Sequence, residues 1–198
     1  MRQLALGISS PPQPTLDNFV PGANAELLAR LRELQAGSFR ESVLYLWGDP
    51  GSGKSHLLRA FSASHAVDDV DELDDASQIE LFNAINEARQ SGGTVLAAGN
   101  APPAQLPLRE DLKSRLAWGL VYQVKPLTDE ERMVFLRAEA ARRGIHLADE
   151  VIAYLLTRMR RDLASLAVVL DKLDRRSLEL KRPVSLPLVG EALKDADE

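Results

Sequence analysis

The sequence has no cysteine, no surplus of positive charge and no long apolar run, and each absence excludes a class of protein. Without cysteine there is no disulfide, no thiolate catalysis and no cysteine-ligated zinc, so nothing marks an oxidising compartment. The formal net charge of -5 argues against unspecific binding to nucleic acid, which needs a basic surface. The apolar stretch "LALGI" is too short for the core of a signal peptide, and no run reaches the length of a membrane span. We therefore expect a cytoplasmic protein without a membrane segment.

Apolar strands alternate with amphipathic helices in the first two thirds of the chain. The segment "NAELLARLRELQAG" predicts a helix between the capping-type Asn24 and Gly37. Buried strands are predicted for "SVLYLW", "TVLAAGN" and "LVYQV", and helices for "SQIELFNAINEAR" and a short stretch around Leu112. This alternation predicts an α/β fold with a parallel sheet, and the apolar fraction of 45% is enough for its core.

After Pro126 only helices are predicted. The segment "LTDEERMVFLRAEAARRG" begins with a capping box of Thr128 and Glu131. Three further helical patterns follow, over about 149–159, 162–181 and 188–193. We therefore expect an N-terminal tail, an α/β core and a small all-helical lid, over residues 1–14, 15–125 and 126–198.

A phosphate-binding loop is predicted at residues 48–55. The segment "GDPGSGKS" fits the pattern G-x-x-x-x-G-K-S/T in full and lies between a predicted strand and a predicted helix, as the pattern requires. Its glycines let backbone N–H groups surround a β-phosphate, Lys54 can reach the β- and γ-phosphates, and Ser55 can ligate Mg²⁺. The residues predicted to bind the nucleotide here are Gly48, Pro50, Gly51, Gly53, Lys54, Ser55 and His56.

A second, acidic strand end should accompany this loop, with one carboxylate for Mg²⁺ and another to orient the attacking water. The segment "HAVDDVDELDD" supplies Asp68 for the metal and Asp69 as a candidate base. The same acidic run is also typical of a solvated loop, and the residues alone leave that alternative open. Asn100 ends the strand "TVLAAGN" and would lie beside the γ-phosphate if that strand neighbours the one before the phosphate loop.

These segments, taken in order, resemble AAA+ ATPases of the DnaA group, and within it the Hda-type regulatory inactivators of the replication initiator DnaA. The segment "TLDNFVPGANAELL" is similar to the one that closes over adenine, which implies ADP or ATP as ligand with Phe19 and Val20 near the base. "GNAPPAQL" resembles the sensor-1 segment, with Asn100 as the sensor, and "RMRRDLASLAVVLDKLDR" the sensor-2 helix, with Arg161 contacting phosphate in cis. "LKSRLAWGL" is similar to the box VII segment, which implies that Arg115 is an arginine finger toward a neighbouring subunit's nucleotide. Without the resemblance, the residues favour a merely solvated position for Arg115 on an amphipathic helix.

The chain departs from this family between Lys54 and Asp68, where the family has a further strand and helix. Here there is room for the helix "SHLLRAFSAS" and little else, although a crossover between parallel strands usually takes a dozen or more residues. Either the chain lacks the edge strand and forms a smaller sheet, or a segment is missing from the sequence. Both alternatives stay open at this point.

The opening hexapeptide "QLALGI" resembles the peptide with which bacterial replication proteins bind the DNA polymerase sliding clamp. In an extended peptide alternate side chains point to one side, so Leu4, Leu6 and Ile8 can enter one apolar groove while the Gln3 amide forms hydrogen bonds. Burial of two leucines is worth roughly 3 to 6 kcal/mol before ordering losses, enough for a micromolar tether. The alternative is an N-terminal strand packed on the body, which the following "SSPPQP" disfavours.

The resemblance implies a nucleotide-dependent regulator of replication initiation that binds the sliding clamp and stimulates hydrolysis of DnaA-bound ATP, preventing re-initiation. Its own ATPase activity is expected to be weak or absent. Two rivals are a stand-alone AAA+ motor or loader, of helicase or clamp-loader type, and a nucleotide-binding module that only recruits DnaA-family proteins. The clamp-type hexapeptide favours the regulator because neither rival requires it.

Further expectations concern location and partners. No helix-turn-helix pattern follows the lid, so we expect no direct sequence-specific binding to DNA. We expect the protein in the bacterial cytoplasm, associated with the nucleoid through the clamp. Pairing into a homodimer is a further expectation, because AAA+ domains often self-associate.

Overall fold

The computed structural model describes residues 13–37, 41–61, 65–158, 163–180 and 182–194. These residues form four strands, β1 (Val43–Trp47), β2 (His65–Val67), β3 (Val95–Gly99) and β4 (Leu120–Gln123). They also form eight α-helices, α1 (Ala25–Gln35), α2 (Lys54–Ala60), α3 (Asp75–Ser91), α4 (Glu110–Leu116), α5 (Asp129–Arg142), α6 (Asp149–Arg158), α7 (Leu163–Leu180) and α8 (Leu186–Lys194). The predicted site residues that lie outside the described residues are Gln3, Leu4, Leu6, Ile8 and Arg161.

The four strands form one parallel sheet in the order β2-β3-β1-β4. This confirms the predicted α/β fold. Strand β1 is central, with Trp47 in register with Gly99 of β3 on one side and with Gln123 of β4 on the other. The strand before the phosphate loop and the strand before Asn100 are therefore neighbours, and their carboxyl ends meet at the same edge of the sheet.

The short connection between β1 and β2 leaves β2 at the edge of the sheet. The described residues form a four-stranded sheet, and both alternatives drawn from the sequence stay open, because a sheet of this size is expected under either of them. Helix α2 has only seven residues, and the strand that follows it pairs with β3 and not with β1.

Helices cover both faces of the sheet, because alternate residues of its central strands point to opposite sides. Leu44 and Leu46 of β1 pack into an apolar cluster with residues of α1 and α2. Val43 and Tyr45 pack on the other face, in a cluster with residues of α3 and α4. A third cluster, formed by α5 to α8 and their connections, is the core of the helical lid.

The boundaries of several helices follow from local sequence, with one exception at Asn24. The capping box predicted for α5 is confirmed, since the Thr128 side chain accepts from the Glu131 N–H and the Glu131 carboxylate accepts from the Thr128 N–H. Asn24 precedes α1 as predicted, but its side chain does not cap the helix. It is buried and binds the backbone of Lys125, donating to the carbonyl oxygen at 2.8 Å and accepting from the N–H at 2.7 Å. No helix in the described part of the chain is long and apolar enough to cross a membrane.

Candidate functional site

The loop between β1 and α2 has the backbone that a phosphate cradle needs. Gly48, Gly51 and Gly53 have φ angles of 155°, 80° and 106°, a region that side chains with a Cβ rarely adopt. At Gly48 a Cβ would lie 2.3 Å from the carbonyl oxygen of Val124, so glycine is also required for space. Pro50 is exposed on the same loop. The predicted loop is thus folded as a tight turn that leads into the N-terminus of α2.

Lys54 is the first residue of α2 and turns back over this loop. Its side chain is buried, and Nζ donates to the carbonyl oxygens of Gly48 and Asp49, at 2.7 and 3.3 Å. A third bond joins Nζ to Oδ1 of Asn100 at 3.2 Å. Since an ammonium group has three donors, every one of them has an oxygen acceptor, and a phosphate oxygen can enter by replacing one of these acceptors.

Asn100 follows β3 and faces the phosphate loop as the sequence predicted. Its orientation is set by Asp71, which sequence reasoning missed. The Asp71 carboxylate accepts from the Asn100 backbone N–H at 3.0 Å and from its side-chain Nδ2 at 2.6 Å. Lys54, Asn100 and Asp71 therefore form one continuous chain of hydrogen bonds at the carboxyl end of the sheet.

Asp68 and Asp69 follow β2, and the structure gives them different surroundings. Asp68 lies with Ser55 and Arg59 in the lining of one shallow depression between α2 and β2. Asp69 is exposed and has a φ of 47°, and this turn leads into a 3-10 helix at Val70–Glu72. The two predicted metal ligands, Ser55 and Asp68, are thus brought together, whereas the carboxylate that reaches Asn100 belongs to Asp71 and not to Asp69.

The segment before α1 packs against the first turn of α2. The Phe19 ring is buried, and a Cβ at Gly53 would lie 2.9 Å from it. The ring also contacts that of His56, with 5.5 Å between centroids, and His56 Nε2 lies 3.0 Å from the carbonyl oxygen of Thr15. Val20 beside it is half-buried. Phe19 and His56, both predicted to line the nucleotide site, therefore lie together at the entry to α2.

Arg115 lies on α4 and is held against α3. Its Nε donates to Oδ1 of Asn86 at 3.0 Å, and its guanidinium carbon lies 3.4 Å from the centroid of the Trp118 ring. The Phe82 ring lies on a further side, 5.1 Å away, and Arg89 also stacks on Trp118 at 4.7 Å. An amide and two aromatic faces fix the direction of this guanidinium. The contacts of Arg115 with Phe82 and Asn86 could not be predicted from the sequence, because these two residues lie on α3 and Arg115 lies on α4.

The residues of the loop fit a nucleotide phosphate. The cradle of positive-φ glycines has no Cβ in its way, and Lys54 supplies a cation inside it. The buried hydroxyl of Ser52 has no hydrogen-bond partner within the described part of the chain, so it is available to a ligand. No group of three or more His, Cys, Asp or Glu side chains among the described residues could hold a metal ion by itself. A metal at Ser55 and Asp68 would therefore need further ligands, as Mg²⁺ does when it binds together with substrate phosphates.

Comparisons with known proteins agree with this geometry. The family model of the Hda lid domain matches residues 129–193. A protein of Haemophilus influenzae, itself uncharacterised, is 33% identical over 228 residues, which cover 97% of this chain and 98% of the relative. Domain III of the replication initiation protein DnaA from Thermotoga maritima has the same fold, with a TM-score of 0.75 at 22% identity over 93% of this chain and 98% of that one. The chain belongs to the Hda-like, DnaA-related AAA+ proteins.

Two other solved structures share the fold of this Hda-like chain. AMPPCP-bound DnaA from Aquifex aeolicus has a TM-score of 0.68 and 21% identity, covering 83% of this chain and 66% of that one. The RuvB Holliday junction branch migration motor of Thermotoga maritima has a TM-score of 0.67 and 16% identity, covering 91% and 71%. The alignment with the Haemophilus relative is longer than the 198 residues of this chain, so that relative has residues with no counterpart here.

Proposed function

We propose that this Hda-like chain regulates replication initiation by presenting Arg115 to ATP held by the initiator DnaA. An arginine supplied in trans neutralises the charge that grows on the transferred phosphoryl group, an effect worth about 10³ to 10⁵ in rate. The product would be ADP-bound DnaA, which prevents re-initiation. The chain's own ATPase activity is proposed to be weak or absent.

The observation that carries this proposal is the setting of Arg115. The guanidinium is fixed by Asn86 and Trp118, and no ion pair to it occurs among the described residues. By contrast, Arg109 of the same region pairs with Asp111 at 2.8 Å. Stacking on an aromatic face leaves the charge of Arg115 intact and the outer N–H groups able to meet an anion. Trp118 is 45% exposed, so the surface formed by its ring and the stacked Arg115 guanidinium is accessible to a partner.

The phosphate loop would hold ADP or ATP in this chain itself. Gly48, Lys54 and Ser52 would surround its phosphates, and Ser55 with Asp68 would hold Mg²⁺. Bound nucleotide would supply the negative charge around which core and lid close. The remaining predicted contacts are those of Phe19 and Val20 with the base, and of Arg161 in the lid with phosphate. In this proposal the core ends at residue 125 and the lid begins at residue 126. Binding of nucleotide sets the angle between core and lid.

The sliding clamp is the proposed second partner, and the support is the hexapeptide "QLALGI". Gln3, Leu4, Leu6 and Ile8 would bind it in an extended conformation. A micromolar tether of this kind would raise the local concentration of Arg115 near DnaA on the same DNA without adding any contact to DnaA.

The test uses purified full chain, DNA-loaded sliding clamp and DnaA with pre-bound ATP. Arg115→Ala should remove nearly all stimulation of ATP hydrolysis while clamp capture stays unchanged. Arg115→Lys should remain strongly impaired, because an ammonium group lacks the planar fork that stacks on Trp118. Arg109→Ala is the matched control, since it removes an equal charge from the N-terminal end of the same helix.

If Arg115→Ala still stimulated hydrolysis of DnaA-bound ATP fully, the proposed role of this residue would be wrong. Equal losses in Arg115→Ala and Arg109→Ala would also contradict it, because the effect would then be one of general charge. Gln3→Ala should lose clamp capture and, because stimulation needs the loaded clamp, should lose stimulation with it, whereas Arg115→Ala keeps clamp capture.

A further inference from the structure

We propose that Asn24 is a positioning residue for the lid, because it binds Lys125, at the end of the core, to the segment before α1. The hinge between core and lid is thereby confined to Pro126 and Leu127. The same segment contacts the first turn of α2, so it joins the phosphate loop to the hinge. This last step rests on the proposed function, in that the loop binds ADP.

The Asn24 side chain holds both polar groups of the Lys125 backbone. Its Nδ2 donates to the Lys125 carbonyl oxygen at 2.8 Å, and its Oδ1 accepts from the Lys125 N–H at 2.7 Å. The donor and the acceptor of one planar amide are thus both used on one residue. Because Asn24 is only 4% exposed, little water competes for these bonds, and breaking them leaves buried polar groups unpaired. The backbone torsions of Lys125 are therefore fixed.

The backbone is held directly before and directly after the two hinge residues. Before them, the Val124 N–H donates to the Trp47 carbonyl oxygen of β1 at 2.7 Å, which continues the fixed backbone from the sheet to the partner of Asn24. After them, the capping box fixes the start of α5, since the Glu131 carboxylate accepts from the Thr128 N–H at 2.8 Å. Rotation between core and lid is left to the residues between these anchors.

Pro126 and Leu127 allow rotation about few bonds. The pyrrolidine ring fixes φ of Pro126, and the helical region is disfavoured for the residue before a proline. The soft torsions that remain are ψ of Pro126 and both torsions of Leu127. Pro126 is exposed and Leu127 is half-buried, so packing opposes rotation less at the proline. The hinge is therefore short and its direction is well defined.

Gly22 limits this rotation on one side. It lies so close to the hinge that a Cβ on it would be 2.6 Å from Cδ2 of Leu127 and 3.1 Å from Oε1 of Glu131. The Glu131 carboxylate cannot move aside without losing its bond to the Thr128 N–H. The lid can therefore turn away from the segment before α1, but not further toward it.

The segment that carries Gly22 and Asn24 also contacts the nucleotide site. Phe19 is buried, lies against Gly53 and stacks on the ring of His56 at the first turn of α2. The chain from Phe19 to Asn24 is short, and packed elements transmit displacements because they compress little. A shift of Phe19 on nucleotide binding would therefore reach the hinge through Asn24.

The test measures the distance between a spin label in the core and one in the lid of the full chain, by double electron–electron resonance. The chain has no cysteine, so labels attach only at introduced ones, Glu80→Cys in α3 and Glu150→Cys in α6, both exposed positions. Asn24→Ala should broaden the distance distribution about twofold, because excluded lid positions become populated. A pair within the lid, Glu130→Cys with Glu150→Cys, should keep its width.

Asn18→Ala is the matched control. The Asn18 amide also accepts from a backbone N–H, that of Thr15 at 2.8 Å, and donates to a backbone carbonyl oxygen, that of Gln13 at 2.9 Å. These bonds are exposed and stay within the N-terminal segment, so the core–lid width should not change. Pro126→Gly frees the fixed torsion and should broaden the distribution, whereas Pro183→Gly, at an exposed proline inside the lid, should not.

ADP with Mg²⁺ tests the link to the phosphate loop. ADP should shift the mean core–lid distance of the unchanged chain. In Asn24→Ala, calorimetry should still detect ADP binding, while the shift falls to less than about half. No shift in the unchanged chain would contradict the proposed control of the lid by nucleotide, and the widths measured without ADP would still decide the role of Asn24.

The inference would be overturned by an unchanged core–lid width in Asn24→Ala, by equal broadening in Asn18→Ala, or by no broadening in Pro126→Gly. Broadening within the lid pair would also overturn it, since the loosening would then be general, and so would a full ADP shift in Asn24→Ala. If Asn24→Ala does not fold, Asn24→Asp takes its place, because it keeps the acceptor for the Lys125 N–H and loses only the donor. None of these results bears on Arg115 or the sliding clamp.

Discussion

At the scale of single residues, Gly48 contacts the ends of both strands that flank β1. Its N–H donates to the Gly99 carbonyl oxygen at 3.3 Å, at the end of β3, and its Cα faces the Val124 carbonyl oxygen after β4. The first residue of the phosphate loop is therefore packed against backbone on both sides. Nothing at this position can move aside for a side chain.

Gly48→Ala should accordingly lower both stability and nucleotide affinity. The added Cβ meets a backbone oxygen at 2.3 Å, and the φ of 155° is strained for alanine, so we expect a loss of about 2 kcal/mol or more in the free energy of unfolding. Denaturant titration measures it. Gly190→Ala is the control, because that glycine lies inside α8 with open space around it. It should raise stability by about 0.5 to 1 kcal/mol. An unaffected Gly48→Ala would contradict the packing described here.

The sequence predicted the phosphate loop and, on the condition that β3 neighbours β1, a position for Asn100 beside it, because a parallel sheet brings the carboxyl ends of its strands together. It did not identify Asp71. The acidic run from Asp68 to Asp75 offers several carboxylates, and the positive φ of Asp69 determines which of them turns back toward β3. A single residue in the left-handed region cannot be read from such a run.

At the scale of elements, charged side chains tie α5 to α7 within the lid. Arg143 at the end of α5 pairs with Glu139 of the same helix at 2.7 Å and with Asp171 of α7. Glu139 also pairs with Arg142. The bond from Arg142, supported by that from Arg143, holds the pKa of Glu139 below its ordinary value of 4.5. This network joins two helices that also share the apolar core of the lid.

The pH dependence of stability follows from that lowered pKa. The unfolded chain binds the proton of Glu139 more readily than the folded chain does, so the stabilisation is present above about pH 4.5 and is lost as the pH falls through the folded value. Thermal unfolding should therefore show a steeper loss of stability between about pH 5 and pH 3 in the unchanged chain than in Glu139→Gln. Glu130→Gln, an exposed position on the same helix, is the control and should keep the steep loss. Equal slopes for all three chains would contradict this account.

Hydrophobic periodicity predicted the strands and helices well, because burial on one face or on both decides these elements. The three strongly apolar strands and the helices of the lid lie where the patterns placed them. Asn24 shows the limit of such reasoning. Asparagine is a residue type that often caps helices, but the partner of Asn24 is Lys125, which lies 101 residues later in the chain, just after the last strand of the sheet. A contact over that separation leaves no local signal.

At the scale of the whole molecule, two distinct surfaces follow from the fold. One is the carboxyl end of the sheet, where Lys54, Asn100 and Asp71 meet. The other is the α3–α4 surface, where Arg115 rests on Trp118. The four described strands, with β2 at the edge of their sheet, carry both surfaces. The arrangement suits a protein that binds nucleotide at one place and acts on a partner's nucleotide at another.

The most direct measurement is the single-turnover decay of ATP pre-bound to DnaA, with this chain and DNA-loaded sliding clamp added together or one at a time. The account predicts decay that accelerates only when both are present, and that returns to the rate of DnaA alone with Arg115→Ala. No acceleration from the folded chain in the presence of loaded clamp would contradict the central claim. Rapid turnover of free ATP by this chain alone would indicate a motor or loader in place of a regulator.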